Sequence, residues 1–178
     1  MIRLFAAIPI PFEIGEGLAS RQSGVEGARW RPLEALHLTL RFFGETPENQ
    51  AEDLHLELSR ITGAPLDLTL TGVGAFGEGE RIEAIWAGVE DNGALRTLAG
   101  RCESAARRAG LKAETRVYHP HVTLAYLKRP VPAEVAAWIQ ANNLLKSPTF
   151  RAPAFGLYSS WRSHEGSRYE LEQLYPLR

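Results

Sequence analysis

His37-Leu38-Thr39-Leu40 and, much later in the chain, His121-Val122-Thr123-Leu124 repeat one pattern, His-x-Thr-apolar, each inside an apolar alternating run. In a β-strand successive side chains point to opposite faces, so residues i and i+2 share a face. His37 and Thr39 therefore project together while Leu38 and Leu40 turn into a core, and His121 and Thr123 stand in the same relation to Val122 and Leu124. Two such strands brought face to face make a site of two imidazoles and two hydroxyls. A lone match would be weak, no more than a strand with a wet face. Two matches among five histidines arise by chance on the order of once in a few thousand.

The rest of the composition bounds what such a site can serve. At 178 residues the chain suits one domain of two lobes with a substantial core. A net charge of −1 argues against broad coating of nucleic acid, which needs a basic surface, but not against recognition of one nucleotide or one RNA end by a local basic cleft. The single Cys102 permits no internal disulfide and fits a reducing cytoplasm. The apolar start, Met1 to Ile8, is too short to span a membrane and is interrupted by Pro9 and Pro11, so it reads as a buried strand.

In chain order the pattern predicts a strand over 2–8, a helix over 11–22, an extended piece at Arg29-Trp30-Arg31-Pro32, and the first motif strand over 36–43. Thr46 is placed as the cap of a helix that opens at Pro47 and runs to 61. A strand over 66–70 continues into a glycine-rich stretch ending at Phe76, followed by a strand over 81–89. That order makes a hairpin, not a nucleotide-binding glycine loop. A helix over 93–109 ends at Gly110, the second motif strand covers 115–127, and a helix opens at Pro132. Strands over 150–161 and 168–177, joined by the polar turn 162–167, close the chain. The order predicts an α+β fold over 1–178: a single bilobal domain with two antiparallel sheets related by a pseudo-twofold, helices on their outer faces and a central groove. Nothing in it requires more than a monomer.

Other residues are weighed against this groove. Arg41 shares the strand face of His37 and Thr39 under strict alternation, so it is a candidate phosphate contact. Phe76 is either a platform for base stacking or a core aromatic. Trp30, Trp86 and Trp138 read as core, and Cys102 as inert packing. His119 and His121 are spaced to share a face, but no third ligand follows at zinc spacing, so His119 reads as a groove-edge residue and no metal or cofactor is expected. His55 and His164 read as solvated surface.

The chain resembles the 2H phosphoesterase superfamily, in its 2′-5′ RNA ligase branch, whose members act as RNA 2′,3′-cyclic phosphodiesterases. The resemblance runs nearly the whole length: Arg3 to Ile8, Arg29-Trp30, Leu36 to Glu45, Gly72 to Phe76, Ile85 to Val89, His119 to Leu124, Leu157-Tyr158 and Arg168-Tyr169. It implies His37 as the acid that protonates a departing O3′, His121 as the base that activates water, and Thr39 and Thr123 as donors to the phosphate oxygens. It implies RNA ends or nucleotides bearing a 2′,3′-cyclic phosphate as partners, with no metal, no membrane, no obligate protein partner and a cytoplasmic setting. Ligation through a 2′-5′ linkage and a nucleotide-binding module without turnover remain open beside hydrolysis. Several relatives carry an arginine five residues after the second motif histidine. Here that residue is Tyr126, leaving Lys128, Arg129 or Arg41 to supply the charge.

Overall fold

A computed structural model describes residues 1–164 and 166–178; Glu165, in the expected turn 162–167, lies outside the described residues. The five residues from Leu4 to Ile8 are all buried, and this makes β1 (Ile2–Pro9) a central strand. It lies between β3 (His37–Thr46) and β9 (Ala154–Ser163), and β10 (Gly166–Pro176) extends the sheet beyond β9. The other half is built from β5 (Leu70–Phe76), β6 (Ala84–Val89) and β7 (His121–Tyr126), with the short β2 (Arg29–Trp30) pairing on β7. All these pairings are antiparallel. The two halves carry the motif strands β3 and β7 at their shared boundary. A separate two-stranded sheet pairs β4 (Leu66–Leu68) with β8 (Phe150–Ala152).

Among the described residues four α-helices, α1 (Phe12–Ala19), α2 (Glu48–Ser59), α3 (Gly93–Arg108) and α4 (Pro132–Asn142), complete the α+β fold. Their buried residues, including Leu18, Leu54, Leu58, Leu98, Cys102 and Trp138, join Leu38, Leu40, Val122 and Leu124 in one continuous core. The apolar alternates of both motifs therefore face the helices, and the His and Thr alternates face away from them. Helix α3 is well bounded. The Asn92 side chain accepts the Leu95 N–H at 3.0 Å, and at the far end Gly110 (φ +82°) lets the Leu111 N–H return to the Ala106 carbonyl. Among the described residues no helix is long and apolar enough to cross a membrane.

Four local expectations need correction, the first being the second motif strand, expected over 115–127, which spans only His121–Tyr126 because Pro120 has no N–H to continue a ladder. Thr46 does not cap α2: it is fully buried and its hydroxyl donates to the Gly44 carbonyl at 3.0 Å, while Pro47 takes the cap position. The expected strand over 150–161 is broken into β8 and β9 at Pro153, which has no N–H to continue a ladder. The last hairpin is tighter than expected, since pairing continues to Ser163 opposite Gly166.

Candidate active site

β3 and β7 meet through a single antiparallel pair, Leu38 opposite Val122, both wholly buried. These are the residues between His and Thr in each motif. Antiparallel continuation from that pair sets His37 alongside Thr123 and Thr39 alongside His121. The motif strands thus stand side by side at the boundary of the two halves, not opposed across a gap, and the local twofold passes between Leu38 and Val122. His37, Thr39, His121 and Thr123 line one cavity of about 180 Å³. The structure brings the four together.

Each imidazole is held the same way. His37 Nδ1 lies 3.1 Å from the Ala35 carbonyl and His121 Nδ1 lies 2.6 Å from the His119 carbonyl, in both cases the residue two places earlier. A carbonyl only accepts, so Nδ1 carries the proton and Nε2 is the nitrogen left to exchange one with a substrate. Aromatic rings fix the orientation further. His37 packs edge-on against Phe5, Tyr158 and Tyr169, with centroids 5.8, 4.7 and 5.4 Å away. His121 packs against Phe76 at 4.8 Å and Trp86 at 6.2 Å. Burial among these rings pushes both imidazole pKa values down, and both backbone hydrogen bonds push back. The Arg31 charge lowers His37 further, and His119 does the same to His121.

Both motif strands carry a β-bulge at the same place. Ala7 pairs with Thr39 but Ala6 pairs with Arg41, so Leu40 is the extra residue of β3. Trp86 pairs with Thr123 but Ile85 pairs with Ala125, so Leu124 is the extra residue of β7. A bulge shifts the alternation by one. Arg41 is thereby turned to the helix side, where it is buried, ion-paired with Glu103 and bonded to the carbonyls of Phe42 and Lys112. It does not line the cavity, which corrects its assignment as a phosphate contact. Phe42 and Tyr126, each five residues after its histidine, are turned into the groove wall instead. Tyr118 secures the first bulge by donating its hydroxyl to the Thr39 carbonyl at 2.8 Å.

The cation that does enter the cavity wall is Arg31, followed by the exposed Arg3 and Arg162. Lys128 and Arg129 are exposed and do not line it. Arg31 was legible only as one of two cations flanking Trp30 in an alternating run, a signal that gains meaning once β2 is paired with β7. Tyr158 and Tyr169 carried no chemical signal of their own in the sequence.

Phe76 is half-buried, does not line the cavity, and braces His121 and Trp86; that packing replaces the free-platform reading. Trp86 is not a core residue but lies against His119 and His121, and Gly74 makes room for it, since a Cβ there would sit 2.4 Å from the indole. His119 is exposed at the edge, as expected. His55 is not simply solvated: its Nδ1 lies 2.9 Å from the Tyr175 hydroxyl. His164 is exposed. Cys102 is fully buried and its thiol is pushed up to about 12, which makes it packing and not a nucleophile. No group of three His, Cys, Asp or Glu side chains suited to a metal occurs among the described residues.

Residues 13–163 match the family model for the 2′-5′ RNA ligase superfamily, and the chain belongs to that superfamily. The 2H phosphoesterase resemblance read from the motifs is borne out. Among curated proteins the chain is 32% identical over 138 residues to the RNA 2′,3′-cyclic phosphodiesterase of Archaeoglobus fulgidus, covering 76% of this chain and 77% of that one. It is 36% identical over 126 residues to the Escherichia coli protein of the same name, covering 68% and 70%. Among solved structures, Escherichia coli LigT complexed with 3′-AMP superposes with a TM-score of 0.80 at 28% identity, covering 99% of this chain and 98% of that one. A Thermus thermophilus structure gives a TM-score of 0.81 at 26% identity, covering 99% and 98%.

Proposed function

We propose that this protein is a metal-independent RNA 2′,3′-cyclic phosphodiesterase that opens the cyclic phosphate to a 2′-phosphate and a free 3′-hydroxyl. The observation that carries the reading is the crossed arrangement of two His–Thr couples in one cavity, each imidazole pinned through Nδ1 so that Nε2 serves the substrate. Hydrolysis displaces O3′ in line, so the group activating water and the group protonating O3′ must flank phosphorus on opposite sides. Two imidazoles related by a local twofold satisfy that demand.

In this reading, His121 Nε2 takes a proton from water as the oxygen attacks phosphorus, and the His37 imidazolium gives its Nε2 proton to the departing O3′. The hydroxyls of Thr39 and Thr123 donate to the non-bridging oxygens, where negative charge builds up in the transition state. Proton and charge balance over the cycle: one proton leaves water, one arrives at O3′, and the histidines exchange states. Direction of the roles follows the family resemblance. Both imidazoles have lowered pKa values in the free protein, so the anionic substrate itself must favour the protonated acid. The relatives named RNA 2′,3′-cyclic phosphodiesterase support the substrate class. The superfamily's name supports a second reading with the same residues, in which an RNA 5′-hydroxyl replaces water and leaves a 2′-5′ linkage.

Incubation of the protein with 2′,3′-cyclic AMP in EDTA, with products separated by chromatography, tests the proposal. A 2′-monophosphate is expected. A 3′-monophosphate would refute the assigned leaving group, loss of activity in EDTA would refute the metal-free mechanism, and binding without turnover would point to a nucleotide-binding module.

A further inference from the structure

Arg31 is 8% exposed, yet among the described residues no carboxylate lies within ion-pair reach of its guanidinium. Its surroundings are two tyrosine rings, Tyr126 at 5.5 Å and Tyr169 at 5.4 Å, and one long hydrogen bond of 3.4 Å to the Ser167 carbonyl. Taking a cation out of water costs more than two cation–π contacts return. Among the described residues, the guanidinium is therefore short of one negative charge. It faces the same cavity as both histidines and both threonines.

The backbone places it there firmly. The Arg31 N–H donates to the Leu124 carbonyl at 2.8 Å, and the Gln22 amide bridges the carbonyls of Arg31 and Leu124 at 2.9 and 3.1 Å. Leu124 is the bulged residue of β7, so Arg31 is locked to the point where the strand turns Tyr126 into the groove. The other half offers a contrast: Arg3 lies over Phe42 at 5.0 Å but is exposed, and water satisfies it without an anion.

Resting on the proposed reading of the site, we infer that Arg31, the residue that follows directly on strand β2, is the phosphate-binding cation of this active site, where Tyr126 stands at the position at which several relatives carry an arginine. Its planar fork pairs with two non-bridging oxygens, and each charged hydrogen bond is of the strong kind. Binding also has a consequence for catalysis. Once the phosphate neutralises Arg31, the smaller part of the lowering at His37, which comes from the Arg31 charge, is relieved, while the larger part, from burial, remains.

The test compares Arg31→Met, Arg31→Lys and the double variant Arg31→Met/Tyr126→Arg with the parent protein, using 2′,3′-cyclic AMP as substrate and inorganic phosphate as inhibitor. Arg31→Met is expected to lower kcat/KM by about 10- to 100-fold and to weaken phosphate inhibition by a similar factor, the scale of charged hydrogen bonds. Arg31→Lys is expected to recover part of both, and Tyr126→Arg in the Met background most of the phosphate affinity. An Arg31→Met protein that keeps the parent's unfolding midpoint and the parent's phosphate inhibition overturns the assignment. So does a variant that loses turnover while phosphate inhibition is unchanged, because the residue would then be structural. If the parent protein binds phosphate through Arg31 but opens no cyclic phosphate, the assignment stands and the cyclic phosphodiesterase reading falls.

Discussion

The two halves of the molecule share a backbone plan and differ in what surrounds each histidine. In both, the imidazole donates through Nδ1 to the carbonyl two residues earlier, a bulge follows the motif threonine, and an aromatic five residues on faces the groove. Even the glycines correspond. Gly156 on β9 leaves room for Tyr158, which packs on His37, as Gly74 on β5 leaves room for Trp86, which packs on His121. The side chains then break the symmetry: His37 faces the permanent charge of Arg31, whereas His121 faces the titratable His119. A duplicated frame brings two like-held imidazoles to one cavity, and their differing neighbours are what would give them different work in the proposed reaction.

Removing one histidine at a time should break the comparison most sharply. His37→Ala and His121→Ala are each expected to lower kcat by about 10²-fold or more, with opposite effects on the pH profile. Loss of the acid removes the fall in rate at high pH, and loss of the base removes the rise at low pH. Because both pKa values lie below the usual 6.5 in the free protein, the maximum of kcat/KM is expected on the acid side of that value, and the kcat maximum, set by the complex with an anionic phosphate, at higher pH than that of kcat/KM. Coincident profiles for both variants would show the roles to be interchangeable.

Thr39→Ala and Thr123→Ala come next, at about 10- to 100-fold in kcat/KM each, the cost of a charged hydrogen bond. Equal losses would mean that the phosphate sits on the local twofold. Unequal ones would show which half grips it.

Gly74→Ala and Gly156→Ala test the rings behind the histidines. A new Cβ would lie 2.4 Å from Trp86 in one case and 2.7 Å from Leu171, beside Tyr158, in the other. Each is expected to cost about 1–3 kcal/mol of stability, visible as a lower unfolding midpoint, with a smaller loss of rate through a displaced imidazole.

Arg41→Met should have the smallest effect on turnover. It severs the contacts with Glu103 and the Lys112 carbonyl, so thermal stability falls, while KM for a cyclic nucleotide and inhibition by phosphate stay at parent levels. A rise in KM would return Arg41 to the groove.

What the order of residues determined by itself was whatever depends on short-range periodicity: the strand and helix sequence, the α+β class, the inward Leu and Val of each motif, and the two imidazole–hydroxyl couples. Those features follow from alternation and capping, which act within a few residues. Only tertiary structure decided which residues join them. Strict alternation put Arg41 beside His37, but a bulge at Leu40, set by how β3 pairs with β1, turned it to the helices and brought Phe42 round in its place. The same event at Leu124 exposed Tyr126 to Arg31, which owes its position to the preceding strand β2 pairing Trp30 with Ala125, 95 positions further along the chain. A bulge is a property of two strands together, and a desolvated charge is a property of everything around it, so neither can be read from one strand alone.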